Sequence, residues 1–90
     1  PRAESIGLVN RVVAADVLDE TVYRMAATIA SKSGHTLKIG KAAFYRQLEM
    51  PLSEAYEYTA EVMAANACTD DAQEGISAFL EKRDPNWKHQ

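Results

Sequence analysis

Phe79, Lys82 and Arg83 set an aromatic ring and two cations at the end of the run Glu74-Gly75-Ile76-Ser77-Ala78-Phe79-Leu80-Glu81-Lys82-Arg83-Asp84-Pro85-Asn86-Trp87. A spacing of three places Phe79 and Lys82 on one side of the last turns of a helix. A ring and an ammonium so arranged can meet an adenine ring and a phosphate together. Lys88 adds positive charge nearby, in a chain whose net charge is −3. The same residues also have a commoner use. An aromatic packs into a core, and cations complement the negative end of a helix. Spacing alone favours that packing role.

The other groups with chemical potential are weaker. Glu54, Glu57 and Glu61 have the spacing of paired acids, but charges at helical spacing usually form a solvated face. His35 and His89 lack a cysteine or carboxylate at metal-ligand spacing, so no metal site is expected. Ser31, Ser33, Ser53 and Ser77 stand outside any nucleophile-elbow pattern. Gly34 and Gly40 do not form a phosphate-cradling loop. Cys68 precedes a helix start that would favour a thiolate, although a lone free cysteine more often packs as a small hydrophobe. No catalytic residue is assigned.

The elements that must position the C-terminal cluster are mostly helical. Asp16 to Lys32 carries Leu18, Val22, Met25 and Ile29 in one apolar stripe, with Asp16 as a candidate N-cap and Gly34 as a left-handed cap beyond the end. His35 to about Leu48 is a second helix, ended before Pro51. Pro51 to about Cys68 is a third, with an alanine-rich stripe suited to close helix–helix approach. Thr69-Asp70-Asp71 starts the last helix, with Asp70 as N-cap and Gln73 at the capping-box position. Ala72, Ile76, Phe79 and Leu80 form its apolar face, Pro85 stops it, and Asn86 to Gln90 is a tail. Before all of these, Ile6 to Val13 reads as one short strand, because three Val and one Ile within eight residues suit a pleated, buried segment. The expected fold is therefore mainly α, with a short N-terminal strand followed by about four helices. Nothing later in the chain offers that strand a partner, which points to a piece of a larger fold or to pairing with another copy.

Composition narrows the class further. Ninety residues with 47% hydrophobic content suggest one small globular domain or part of one. The mixed, slightly acidic charge gives no basic patch for nucleic acid, and no apolar run approaches the roughly 20 residues that span a bilayer. The single cysteine rules out an intrachain disulfide framework and favours a reducing compartment. Pro1-Arg2-Ala3-Glu4 is followed by no secretory h-region; the chain has no initiator Met, and this absence carries little weight.

Three stretches in order resemble the C-terminal third of the enoyl-CoA hydratase/isomerase (crotonase) superfamily. Ala3 to Val13 is similar to the family's helix end and last core strand. Ile29-Ala30-Ser31-Lys32-Ser33 followed by Lys41 is similar to its helix junction, although Gly34 stands where the family often has Pro. Asp71, Glu74-Gly75-Ile76, Ala78-Phe79, Glu81-Lys82-Arg83, Pro85 and Trp87 fit its ending. The likeness runs nearly end to end.

The resemblance implies the C-terminal helical part of an α/β spiral fold. Residues 1–15 would be the end of the core, and residues 16–90 a helical region for oligomerisation and for covering coenzyme A. It implies an acyl-CoA thioester as substrate, with no cofactor beyond the coenzyme A of that substrate, and a homo-oligomer, trimer or hexamer. The catalytic groups would lie upstream of Pro1. Phe79 and Lys82 fall on family positions that contact the adenine and phosphate end of CoA. The implied location is the cytoplasm of a bacterium or the mitochondrial matrix of a eukaryote. The rival reading is a stand-alone helical interaction module without CoA chemistry.

Overall fold

The computed structural model describes all of residues 1–90. It is helical: α1 (Arg2–Ser5), a 3₁₀ turn (Ala15–Val17), α2 (Leu18–Ala30), α3 (Gly34–Gln47), α4 (Leu52–Ala67) and α5 (Asp70–Glu81). The chain divides into two compact units, Pro1–Ser31 and Lys32–Gln90.

In the first unit the expected strand over Ile6–Val13 is not formed. A strand must satisfy its backbone on a neighbour, and this chain supplies none. Instead α1 closes in a Schellman motif. Gly7 takes the left-handed conformation at φ 75°. Its N–H donates to the Glu4 carbonyl at 3.0 Å, and the Leu8 N–H donates to the Ala3 carbonyl at 2.9 Å. The Glu4 carboxylate then accepts the Val12 N–H at 3.0 Å, holding the following segment without a ladder. Leu8, Val9 and Val13 line an open concavity with Leu18, Val22 and Met25 of the α2 stripe. Leu18 and Val22 nonetheless remain half exposed, and α2 buries no residue. The β-branched residues of this segment therefore sit in irregular backbone beside the α2 stripe.

The second unit packs α3, α4 and α5 against one another. Its buried apolar residues are small: Ala43 on α3, Ala55 on α4 and Ala78 on α5. Small side chains let helix backbones approach closely. The Arg46 guanidinium lies 4.6 Å from the centre of the Tyr58 ring, a cation–π contact between α3 and α4.

Two helix starts differ from expectation by a residue or more. The α5 N-cap is Thr69, whose hydroxyl accepts the Ala72 N–H at 3.3 Å, and Asp70 is the first helical residue. The Gln73 amide donates to the Ala67 carbonyl at 2.7 Å, bridging to the end of α4. Likewise Gly34 is the first residue of α3 and not a left-handed cap. The α3 N-cap is Ser33, whose Oγ accepts the Thr36 N–H at 3.2 Å and donates to the Asp71 carboxylate. One buried hydroxyl therefore caps α3 and ties it to α5. Ser33→Ala should cost about 1–3 kcal/mol, combining a lost cap with an unmade bond to a charged group. Urea unfolding measures this, and an unmoved midpoint would show that neither bond matters.

Residues 84–90 are no loose tail. The chain turns after α5 and runs back along it. Asp71, 1% exposed, accepts the Ser33 hydroxyl, the Lys88 N–H at 2.7 Å and the His89 N–H at 3.0 Å. The Asp71 N–H donates to the Gln90 carbonyl at 3.0 Å. His89 Nδ1 accepts the Gly34 N–H at 3.1 Å. Trp87 crosses α5 at Gly75, where a Cβ would come within 3.2 Å of the indole; the missing side chain is what admits the ring.

Candidate functional site

α5 begins under the tail and ends at the cluster of interest. An open groove of about 470 Å³ runs beside it, lined by Leu37, Ile76, Phe79 and Leu80 with Trp87 at its wall and Lys32 at its rim. Its surface is mostly apolar side chain. Phe79 lines this groove yet is 82% exposed, so the packing role favoured by spacing is not what the ring does within these 90 residues.

Lys82 lies one residue beyond the last helical residue. The helix ends there in a second Schellman motif, with Lys82 N–H donating to the Phe79 carbonyl at 3.3 Å and Arg83 N–H to the Ala78 carbonyl at 3.0 Å. Lys82 takes the left-handed conformation, φ 54° and ψ 44°. Glycine is the usual occupant of this position, and a side chain there costs about 1–2 kcal/mol from the clash of Cβ with the following carbonyl. The reading of Lys82 as an in-helix cation at the C-terminus is thereby refined: it is the turn residue itself.

Arg83 fixes this turn. Its Nη1 and Nη2 donate to the two carboxylate oxygens of Glu74 at 2.6 and 3.0 Å, a bidentate fork. Its Nε donates to Glu81 at 2.6 Å and Nη1 to the Asp84 carbonyl at 3.2 Å. Glu74 also accepts the Asn86 N–H at 2.8 Å. The Arg83 hydrogen bonds, then the Asn86 N–H, hold the Glu74 carboxyl down to about 2, against the opposing pull of burial. Hydrogen bonds to Glu74 and then Glu81 raise the Arg83 guanidinium further above its usual range. Burial pushes the Asp71 carboxyl up, and the Ser33 hydroxyl with the Lys88 and His89 N–H groups outweighs it, leaving it below the usual value.

The structure therefore places Phe79 and Lys82 in the same closing turn, Phe79 in the groove and Lys82 outside its lining. The helical acids Glu54, Glu57 and Glu61 are exposed along α4. Cys68 is exposed at the junction of α4 and α5, beside a concavity that His35 and His89 also line. The roles of Asp71, Ser33 and Glu74 in fastening the tail escaped the sequence reading. The signal was present as Asp71, Glu74 and Trp87 at helical and post-helical spacing, but nothing in it revealed that the chain doubles back.

Residues 2–90 match the family model described as enoyl-CoA hydratase/isomerase. The chain belongs to the enoyl-CoA hydratase/isomerase family. It is 45% identical over 83 residues to rat enoyl-CoA hydratase domain-containing protein 3, mitochondrial, covering 92% of this chain and 28% of the relative. It is 39% identical over 87 residues to the probable enoyl-CoA hydratase echA8 of Mycobacterium tuberculosis, covering 97% of this chain and 34% of that one. Among solved structures, an enoyl-CoA hydratase from Mycobacterium smegmatis superposes with a TM-score of 0.91 at 45% identity over 96% of this chain and 34% of that chain. Human enoyl Coenzyme A hydratase domain-containing protein 3 superposes with a TM-score of 0.85 at 45% identity, over 89% of this chain and 32% of the human one. The chain thus spans about a third of the length of these relatives, between 28% and 34%.

Proposed function

We propose that this chain is the C-terminal helical region of a protein that acts on acyl-CoA thioesters, and that it closes one edge of the CoA pocket through Phe79 and Lys82. The observation that carries the reading is the exposed Phe79 ring in the same Schellman turn as Lys82, which stays exposed. An exposed ring can stack on an adenine, and an ammonium acts as a point charge on a phosphate. None of the chain's ion pairs engages Lys82. The hydration or isomerisation step itself belongs to residues outside this chain. Self-association, as a trimer or hexamer of the full protein, fits the same reading: Ile76, Phe79 and Leu80 are more than half exposed, as are Leu18 and Val22 in the first unit, and apolar surface of this kind is normally covered. The site of action is the cytoplasm of a bacterial source or the mitochondrial matrix of a eukaryotic one.

Lys82→Gly tests the reading with two opposite signs. Glycine relieves the left-handed strain, so the melting point should hold or rise, by up to about 1 kcal/mol of added stability. Loss of the ammonium should weaken CoA binding by about 1–2 kcal/mol, the worth of a hydrogen bond to a charged group. The measurement is titration calorimetry with CoA on the full-length protein. Unchanged affinity removes the role assigned to Lys82.

A further inference from the structure

The left-handed backbone at Lys82 needs a cause, and the residues around it supply one. A non-glycine residue persists in this region only where its surroundings over-determine it. Here three restraints converge on the turn. The Schellman hydrogen bonds fix the peptide groups on either side of Lys82. The Glu74 fork grips both Nη atoms of Arg83, the next residue. Finally, Arg83 Nε reaches Glu81 at 2.6 Å, joining the two residues that flank Lys82.

That last contact is diagnostic. Residues two apart on a continuous helix do not face each other. The chain reversal at Lys82 brings Arg83 back alongside Glu81, so the ion pair braces the left-handed turn. Both flanking charges are consumed by this lock, and Lys82 is the cation left over. Glu74 sits a full helix turn and more upstream, anchored in turn by the Asn86 N–H of the returning tail at 2.8 Å. The lock therefore spans α5, its closing turn and the tail.

We infer that Glu74 and Arg83 are positioning residues that hold Lys82 in its left-handed turn beside Phe79, so that the ammonium is presented ready-oriented to a phosphate of the CoA nucleotide. This rests on the Lys82–CoA reading given above. The gain is preorganisation: a lysine side chain on a fixed turn loses less freedom on binding than one on a frayed helix end. Glu74 and Arg83 touch no ligand in this scheme. Their effect on binding passes through Lys82, and only ligands that carry the nucleotide should sense it.

A double-mutant cycle on the full-length protein tests this, with calorimetry against CoA and against crotonyl-pantetheine, which lacks the nucleotide. Glu74→Gln keeps an acceptor for Asn86 but removes the charged fork. It should raise the Kd for CoA about fivefold and leave that for crotonyl-pantetheine unchanged. Lys82→Gly should raise the CoA Kd about tenfold, and the double variant should be no weaker than Lys82→Gly alone. Where Glu74→Gln does not fold, Arg83→Lys carries the same expectation, because it keeps the charge and loses the fork. Additive losses, or equal losses for both ligands, would show a general structural role and overturn the inference. A normal CoA Kd in Glu74→Gln beside a weakened Lys82→Gly would overturn it too, while leaving the Lys82 reading standing. A normal CoA Kd in Lys82→Gly would overturn both.

Discussion

Replacing Asp71 with alanine is expected to release residues 86–90 from α5 and to lower the melting temperature by about 5–15 °C, the shift that loss of several buried hydrogen bonds gives in a domain of this size. No other side chain in the structure is as deeply buried. It accepts from the Ser33 hydroxyl and from two successive N–H groups of the tail, at Lys88 and His89. Alanine leaves all three donors facing a void. The two tail N–H groups, in partly buried hydrogen bonds, meet water more fully when the tail lifts. Unpaired buried donors lose their full solvation, so lifting is the lower-energy response. Trp87 reports the event directly. It is the only tryptophan in the chain and lies against Gly75. Its emission should shift to the red in Asp71→Ala under conditions where far-ultraviolet dichroism still shows folded helix. Asp71→Asn should fall between the two, since the amide retains one acceptor oxygen and adds a donor that faces donors. Unshifted Trp87 emission together with an unchanged melt would mean that the tail is held by something other than this carboxylate.

Much of the helical plan is legible in the chain, and the reason is local. The α2 stripe of Leu18, Val22, Met25 and Ile29 and the acidic first turn at Asp19 and Glu20 lie within a few residues of one another, and the observed helix follows within a residue or two at each end. The alanine-rich run of α4 similarly anticipates the close contact at Ala55. The misses are of another kind. Ile6 to Val13 has every local mark of a strand, but strand formation depends on a partner that no local mark reveals. Gly34 illustrates the same limit at a single position. Proline suits the first residue of a helix because its missing N–H is not needed there. In this chain Gly34 uses the N–H that Pro would lack, donating it to His89 Nδ1, and a Cβ there would approach that nitrogen to 3.2 Å. The partner of that N–H is thus a residue 55 positions away. Only the folded chain brings the two together.

The family ending itself takes on physical content once the tail is seen to return. Asp71 and Glu74 receive the tail's N–H groups, Gly75 admits the indole of Trp87, and Arg83 bridges Glu74 to the closing turn. Five of the residues that carried the resemblance are fasteners. Phe79 and Lys82, the two that the resemblance assigns to the ligand, are exposed, as are Ile76 and Glu81.

Acid should undo the fastening in a defined window. Glu74 is held down to about 2 from an ordinary 4.5, chiefly by the Arg83 fork. A carboxyl depressed in the folded state favours folding wherever it is ionised in both states. The contribution is therefore complete above pH 4.5, declines as the pH falls from 4.5 toward about 2, and is gone below that. Asp71, also depressed, adds a second component that begins to fade only below 3.8. Trp87 emission should accordingly stay constant from pH 7 to about 4.5 and move red across the interval beneath it. Glu74→Gln isolates the first component. The variant should be less stable at pH 7 and lose less further stability between pH 4.5 and 2 than the unaltered chain. Salt should act the same way as the substitution but more weakly, because Arg83 is 41% exposed and its pairing with Glu74 is partly screened. Two results would count against the fork as the acid-sensitive element. One is a Trp87 transition centred above pH 4.5, where Glu74 and Asp71 are both still ionised. The other is an identical acid slope in Glu74→Gln, which would assign the transition to carboxylates elsewhere.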